Sequence, residues 1–129
     1  MMPAANNDFP WMSYYGNYNS FKRKINFHDK VVNVIDVDAA NGLLDIVQKD
    51  RTLRVFICEC YSFGVAEYEE ALGHFGNLDA IIINSTWCSY TPDVKEYCKE
   101  QRVGVFNVSE FFGAINILNF WNYIAPDER

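Results

Sequence analysis

The alternation of strand and helix patterns in the second half of the chain constrains the fold more than any other feature. Residues 80–84 (Ala-Ile-Ile-Ile-Asn) are almost continuously apolar, as in strands buried on both faces of a sheet. Residues 65–74 have the pattern of an amphipathic helix. Another helix is predicted to begin at Thr91-Pro92, because threonine is a favourable N-cap and proline fits the first helical position. With a last strand at 103–108, the pattern predicts an α/β domain with a largely parallel sheet and helices on both faces.

Two apolar segments and a final helix extend this pattern. Residues 31–37 are rich in β-branched side chains and residues 53–60 are mostly apolar, so both are predicted strands. Ser109 is the predicted N-cap of a last helix that stops before Pro126. That helix contains Phe111, Phe112, Ile115, Leu118 and Tyr123.

Residues 38–50 have two interpretations. In the first, Asp38 caps a helix with its apolar side chains on one face. In the second, Gly42 ends a short turn, and residues 43–48 form a strand that pairs in a hairpin through residues 49–52. Short apolar runs fit a helix and a strand equally well, so the sequence leaves both open.

With 129 residues the chain has room for one domain, because domains commonly contain about 100–200 residues. Residues 1–25 are rich in asparagine and aromatic residues and are predicted to form an N-terminal arm, with no helical or strand periodicity, ahead of an α/β domain at 26–129. The arm either packs its rings on the domain or binds a partner or a second copy. These rings belong to Phe9, Trp11, Tyr14, Tyr15 and Tyr18.

The formal net charge of −6 makes DNA a disfavoured partner, because an acidic surface repels phosphates. An enzyme that acts on nucleic acid through metal ions can still be acidic, since its carboxylates form the metal site. The first residues lack the basic and apolar regions of a signal peptide. No run approaches the ~18–20 apolar residues of a spanning helix. We therefore expect a cytoplasmic protein with no membrane partner.

The cysteines are expected to be reduced thiols. Two of them are one residue apart in an apolar strand pattern, which does not suit a disulfide framework. Cys58, Cys60 and Cys88 could share a metal ion, but their spacing differs from that of common zinc sites. Free cysteine packs as a small apolar residue. The four residues are Cys58, Cys60, Cys88 and Cys98.

Asp45 and Glu59 are the strongest candidates for a catalytic site. If residues 43–48 form a strand, the two carboxylates lie on neighbouring strands of one hairpin. Metal-dependent nucleases need two converging carboxylates to hold Mg²⁺, which activates a water and stabilises the charge that develops on the phosphate. A lysine two residues after the second acid usually completes such a site, on the same face of the strand. Here Tyr61 occupies that position.

Residues 44–61 (Leu-Asp-Ile-Val-Gln-Lys-Asp-Arg-Thr-Leu-Arg-Val-Phe-Ile-Cys-Glu-Cys-Tyr) resemble the core hairpin of Mrr-type restriction endonucleases. Three later segments are similar to that family in order and type: 79–86 (Asp-Ala-Ile-Ile-Ile-Asn-Ser-Thr), 94–101 and 103–112. The resemblance covers about residues 43–115 and implies a restriction-endonuclease-like fold. That fold is a three-layer α/β/α sandwich with a central mixed sheet.

The resemblance also implies a site. Asp45 would be the first metal ligand, Glu59 the second, and Tyr61 would replace the catalytic lysine. A shifted alignment places Glu59 at the lysine position and leaves Ile57 in place of the second acid. The implied function is Mg²⁺-dependent phosphodiester hydrolysis, or a degenerate member of the fold repurposed for binding. The short basic cluster Lys22, Arg23 and Lys24 is the remaining source of a replacement lysine.

The alternative resemblance is to receiver domains, which have a doubly wound parallel sheet. Residues 35–38 (Ile-Asp-Val-Asp) would be the acidic pair that follows a first strand, and Asn84 would occupy the phosphoacceptor position. An asparagine cannot be phosphorylated, so this resemblance implies a pseudo-receiver that binds a partner.

Two further predictions concern binding. A non-catalytic interaction protein would use the aromatic arm and the final helix to bind a second copy or a protein partner, and it would have a contiguous exposed apolar patch. The side chains of that helix are Phe111, Phe112, Phe120 and Trp121. Small hydroxyl residues also follow the strand at 80–84, where ligands of open α/β sheets bind. These residues are Ser85, Thr86 and Ser89.

Overall fold

A computed structural model of the chain describes residues 8–12, 15–86 and 88–128. The predictions for residues 1–7 and for the rings of Tyr14 and Tyr15 lie outside what it describes. Among the described residues, the α-helices are α1 (Tyr15–Asn26), α2 (Val65–Phe75), α3 (Pro92–Glu100) and α4 (Val108–Ala114). The strands are β1 (Asn33–Asp38), β2 (Leu43–Val47), β3 (Thr52–Cys58), β4 (Ser62–Phe63), β5 (Ala80–Ile83), β6 (Ser89–Tyr90) and β7 (Gly104–Asn107). Short 3₁₀ turns are Ala39–Asn41, Phe120–Asn122 and Pro126–Glu128. None of these helices is long and apolar enough to cross a membrane.

The main sheet is mixed, with the strand order β1-β2-β3-β5-β7. β1, β2 and β3 form an antiparallel meander, and β3, β5 and β7 run parallel to one another. The central mixed sheet is therefore confirmed, and the receiver-like parallel sheet is wrong, because three strands joined by short turns must alternate in direction. A separate two-stranded sheet pairs β4 with β6.

The hairpin interpretation of residues 38–50 is confirmed. Ala39–Asn41 is a single 3₁₀ turn, and Gly42 ends it in the left-handed conformation, with φ 80° and ψ 22°. β2 then pairs with β3, with Leu43 opposite Phe56. The helix interpretation fails because the left-handed residue ends any helix that starts at Asp38.

Two hydrophobic clusters lie on opposite faces of the main sheet. Alternate side chains of β3 point to opposite faces, so Phe56 and Cys58 belong to one cluster and Val55 and Ile57 to the other. The first cluster includes residues of α2 and α3, namely Tyr68, Ala71, Val94 and Cys98. The second includes residues of α1 and α4, namely Tyr18, Phe21, Ile25, Phe111 and Ala114. These two sides are called the α2–α3 face and the α1–α4 face below.

The N-terminal prediction is only partly right. Residues expected to lack periodicity form α1, and its side chains Tyr18, Phe21 and Ile25 are buried on the α1–α4 face. Their spacing of three and four residues is helical, but the many asparagine and tyrosine residues around them obscure it. Trp11 is also buried, so the described rings pack on the domain rather than projecting to a partner.

The C-terminal helix is shorter than predicted and begins earlier. Its N-cap is Asn107, not Ser109: the Asn107 side chain accepts from the N–H of Glu110 at 2.8 Å, and the Glu110 carboxylate accepts from the N–H of Asn107 at 2.9 Å. This reciprocal capping box fixes the start of the helix.

The end of α4 is set by side chains from the β2–β3 hairpin. Gln48 donates to the carbonyl of Ile115 at 2.9 Å, and Arg51 donates to the carbonyls of Ile117 and Leu118 at 2.9 and 2.7 Å. Those carbonyls are therefore bonded to side chains instead of to the next helical turn. The chain turns back, and Phe120 is buried.

Because the chain turns back after α4, the aromatic side chains predicted for a partner contact are mostly buried. Phe111 and Phe120 are buried, and Phe112 and Trp121 are partly buried against the same cluster. The final helix therefore contributes aromatic side chains to the core. The prediction that this set forms an exposed patch for a partner is wrong, because the chain reversal after α4 folds Phe120 back on the sheet.

Candidate functional site

The structure does not bring the two predicted carboxylates together. Asp45 lies opposite Arg54 in the hairpin. Arg54 is five residues before Glu59, a separation of ~16 Å along an extended strand. Residues paired across a hairpin share a face, so Asp45 lies on the α2–α3 face with Phe56. Glu59 lies on the α1–α4 face, where Asn17 of α1 contacts it. The expected convergence at one end of the hairpin is not observed.

Asp45 is instead held in a cross-strand ion pair. Its Oδ1 accepts from Nε of Arg54 at 2.5 Å, and its Oδ2 accepts from a terminal guanidinium nitrogen at 3.3 Å. The hydrogen bond to Asp45 is the main cause that raises the pKa of Arg54. Both carboxylate oxygens are thus engaged in a two-point contact, which suits a structural pair better than a metal ligand.

Glu59 is a buried carboxylate at the end of β3. It is only 3% exposed, and its Oε1 accepts from Nδ2 of Asn17 at 2.9 Å. Its backbone N–H donates to the carbonyl of Trp11 at 2.7 Å. A buried charge requires such partners, so α1 and the segment before it fix Glu59 in place.

Tyr61 and the basic cluster do not supply the missing lysine. Tyr61 is 70% exposed, and its carbonyl accepts from the N–H of Ser89 at 3.1 Å, in the small second sheet. Lys22 forms an ion pair with Asp36 of β1 at 2.7 Å. Arg23 is exposed. Of the predicted cluster, only Lys24 lines a pocket near Glu59.

The residues present do not fit a Mg²⁺ site of the expected kind. Asp45 and Glu59 occupy opposite faces, and each carboxylate is already bonded to a protein side chain. Within residues 8–12, 15–86 and 88–128, no three histidine, cysteine, aspartate or glutamate side chains cluster as a metal site. This also applies to the thiols, which are free and, except for Cys88, fully buried.

A pocket of about 700 Å³ lies where β5 and β7 end, beside α1. Ligands of open α/β sheets bind at the carboxyl ends of parallel strands, and the volume is within the usual range for small-molecule sites. Ser85 and Thr86 line it as predicted, while Ser89 belongs to β6 and is not part of the lining. The other lining residues are Asn17, Ser20, Phe21, Lys24, Ile83, Asn84, Cys88, Asn107, Val108 and Ser109.

Asn84 is the most informative residue of this pocket. It directly follows β5, is only 9% exposed, and its backbone N–H donates to the carbonyl of Cys58 at 2.8 Å. Its side-chain Nδ2 is buried and has no hydrogen-bond partner among the described residues. A buried donor without an acceptor costs about 1–3 kcal/mol, so a ligand acceptor at this position would relieve that cost.

Cys88 closes the same pocket as a neutral thiol. Burial is the main cause that raises its pKa, and a hydrogen bond from the Ser85 side chain partly opposes that effect. A thiol with a raised pKa is a weak nucleophile at neutral pH. The pocket therefore lacks an activated cysteine, and its polar character comes from amides, hydroxyls and one lysine.

We predict that Asn84→Leu raises the free energy of unfolding by about 1 kcal/mol, because an apolar side chain of similar shape removes the unsatisfied donor. Urea unfolding measures this change. The matched control is Asn17→Leu, which removes the hydrogen bond that Asn17 donates to the buried Glu59 carboxylate. This change should lower the free energy of unfolding by about 1–3 kcal/mol. A loss of stability in Asn84→Leu equal to that of Asn17→Leu would show that Nδ2 is satisfied in the free protein.

Sequence reasoning did not predict Asn17 or Asn84 as residues of this pocket, and it named Lys24 only as a source of a replacement for the catalytic lysine. Lys24 and Asn17 lie on a helix that the sequence interpretation treated as an arm. Asn84 was considered only as a failed phosphoacceptor, although a polar residue that ends a fully apolar strand is a usable signal for a site at the sheet edge.

Comparisons with known proteins do not assign this chain to a family. Neither the protein-family models, nor the curated proteins, nor the solved structures contain a match. The geometry of the pocket at the ends of β5 and β7 therefore carries the functional argument alone.

Proposed function

We propose that this chain is a restriction-endonuclease-like α/β/α protein repurposed from phosphodiester cleavage to the binding of a small polar molecule. The binding site is the pocket at the carboxyl ends of β5 and β7. The observation that carries the proposal is the Nδ2 of Asn84, a pocket-lining residue, because this buried nitrogen has no hydrogen-bond partner in the part of the chain that the structure describes.

The proposed fold rests on the arrangement of layers and on the strand order. Helices α2 and α3 cover one face of the mixed sheet, and α1 and α4 cover the other. An antiparallel meander followed by parallel strands also agrees with the resemblance of residues 43–115 to Mrr-type proteins. Both observations support a three-layer sandwich of this type.

The loss of cleavage rests on the positions of the carboxylates. Two-carboxylate metal catalysis requires both acids within coordination distance of one ion, whereas Asp45 is paired with Arg54 and Glu59 is bonded to Asn17 on the other face. Tyr61, at the position expected for lysine, points its exposed side chain away from the core. The same fold can retain a ligand site after its chemistry is lost, because function resides in the site and not in the fold.

We expect no metal-dependent nuclease activity from the wild-type protein. The measurement is the conversion of supercoiled plasmid, single-stranded DNA and RNA with Mg²⁺ or Mn²⁺, compared with Asp45→Ala and Glu59→Ala. All three proteins should leave the substrates intact. Nicking by the wild type that both substitutions abolish would overturn the proposal and restore the nuclease interpretation.

We also expect small polar molecules to stabilise the wild type and not Asn84→Leu. The measurement is a thermal-unfolding screen with nucleosides, sugars, amino acids, phosphate monoesters and dicarboxylates. A ligand that binds only the folded state raises the midpoint of unfolding. If none of these compounds stabilises the wild type, or if stabilisation is equal in Asn84→Leu, the pocket is not the binding site.

A further inference from the structure

We infer that the group recognised in this pocket is an oxyanion, a phosphoryl or carboxylate group carried by a small organic molecule. The inference rests on the proposed function and deepens it by naming the class of ligand. It follows from the donors that line the pocket, from the charges around it and from its size.

Most residues of the lining carry a side-chain group that can donate a hydrogen bond. Asn84 presents a buried Nδ2 without an acceptor among the described residues. Lys24 of α1 forms no hydrogen bond or ion pair with any described residue, in contrast to Lys22 two positions earlier, which is paired with Asp36. Four hydroxyl side chains also line the pocket, namely Ser20, Ser85, Thr86 and Ser109. An ammonium group and a fixed amide N–H together favour an anionic acceptor.

The charge of the lining is opposite to that of the protein. The chain carries 17 aspartate and glutamate residues against 11 lysine and arginine residues. Among the described residues, however, no aspartate or glutamate lines the pocket, and Lys24 does. The ammonium group of Lys24 would attract an anion to this lining.

Glu59 lies next to the pocket and opposes anion binding. Cys58 of β3 pairs with Ile83 of β5, so the following residues, Glu59 and Asn84, lie side by side on neighbouring strands about 5 Å apart. Glu59 is buried, and its carboxylate accepts a hydrogen bond from the side chain of Asn17. The negative charge of Glu59 should weaken the binding of an anion at Asn84, and a substitution that removes this charge should strengthen that binding. An apolar or cationic ligand would not bind more tightly when the charge of Glu59 is removed.

The size of the pocket selects an organic anion over a bare ion. A volume of about 700 Å³ exceeds what one phosphate or carboxylate group fills. Phe21, Ile83 and Val108 supply apolar surface beside the donors. The ligand would therefore place its oxyanion near Asn84 and Lys24 and its remaining part against these side chains.

The test is isothermal titration calorimetry of the full chain with four probes: inorganic phosphate, adenosine monophosphate, succinate and adenosine. Adenosine matches the monophosphate without its charge. Binding of the monophosphate that exceeds binding of adenosine by about tenfold or more supports the inference. Comparison of phosphate with succinate identifies which oxyanion is preferred.

Substitutions then locate the anion. Lys24→Gln should weaken binding of the best anionic probe about fivefold, while Lys49→Gln, an equal charge change on the exposed β2–β3 turn, should leave it unchanged. Asn84→Leu should weaken it about tenfold or more. Glu59→Gln keeps an oxygen that accepts from Asn17 and removes the charge, so it should tighten binding about fivefold.

Two results would overturn the inference. One is equal affinity for adenosine and its monophosphate with no binding of phosphate or succinate, which would leave a pocket for an uncharged ligand and the proposed function intact. The other is anion binding that changes equally in Lys24→Gln and Lys49→Gln, which would indicate a general charge effect. Absence of any ligand in both the thermal screen and the titrations would remove the proposed function as well.

Discussion

Glu110→Ala is expected to lower the free energy of unfolding by about 3–5 kcal/mol, the usual cost of removing one partner from a buried ion pair. Glu110 is 5% exposed, and its carboxylate lies 3.5 Å from Nζ of Lys95. Tyr90 donates its hydroxyl to both carboxylate oxygens at 2.8 and 2.9 Å. The same carboxylate caps α4 through the N–H of Asn107. One substitution therefore disrupts an ion pair, a tyrosine hydrogen bond and a helix cap.

The loss is large because Lys95 remains in an apolar setting. Its side chain is 15% exposed, and Nζ lies 5.0 Å from the centre of the Phe106 ring and 2.9 Å from the carbonyl of Val105. Removal of the carboxylate takes away the negative charge that Glu110 places beside this ammonium group, in a region where charge is costly. Since folded domains are stable by ~5–15 kcal/mol, this change should remove about a fifth or more of the total.

Urea unfolding of Glu110→Ala, Glu110→Gln, Lys95→Met and the double variant tests this prediction. Glu110→Gln keeps the cap and the tyrosine contact and loses only the charge, so it should cost less than Glu110→Ala. Lys95→Met with Glu110→Gln removes both charges, and the double variant should be more stable than the sum of the single changes predicts. If the effects of the two single changes add, the ion pair contributes nothing, and the helix cap and the Tyr90 hydrogen bond account for the loss in Glu110→Ala.

Much of the fold could be predicted because its elements carry local signals. Ala80–Ile83 is apolar at every position, and Thr91 caps α3 by accepting from the N–H of Val94 at 3.2 Å. Such signals depend on a few neighbouring residues. The end of α4 could not be predicted this way, because it is fixed by Gln48 and Arg51, more than sixty positions earlier in the chain.

The site could be predicted only in part for a related reason. Ser85 and Thr86 follow a strand, so a general rule places them at the ligand edge. The pairing of Asp45 with Arg54 depends on hairpin register, and a shift of one residue moves a side chain to the other face. The sequence shows two acids fourteen positions apart but not which faces of the sheet they occupy, so it could not show that Asp45 and Glu59 lie on opposite faces.

Gly42→Ala is expected to lower the free energy of unfolding by about 3 kcal/mol or more. Gly42 has φ 80°, and a methyl group there would collide with the backbone carbonyl oxygen of Ile57 on the facing strand. The left-handed conformation costs an alanine ~1–2 kcal/mol, and the forced separation of two backbones adds about 1–3 kcal/mol. The hydrogen bond from the N–H of Ile57 to the carbonyl of Gly42, 2.9 Å long, would lengthen as well.

Two further variants separate these causes by chemical denaturation. Gly73→Ala lies inside α2, where an added methyl group meets nothing within 4 Å, so it should stabilise the protein by about 1 kcal/mol. Gly42→Asn tolerates the left-handed backbone better than alanine but brings the same Cβ toward Ile57. Near-equal losses for Gly42→Asn and Gly42→Ala would identify the collision as the dominant cause. A free energy of unfolding for Gly42→Asn close to that of the wild type would show instead that the conformation of the turn, and not the closeness of β3, requires glycine at this position.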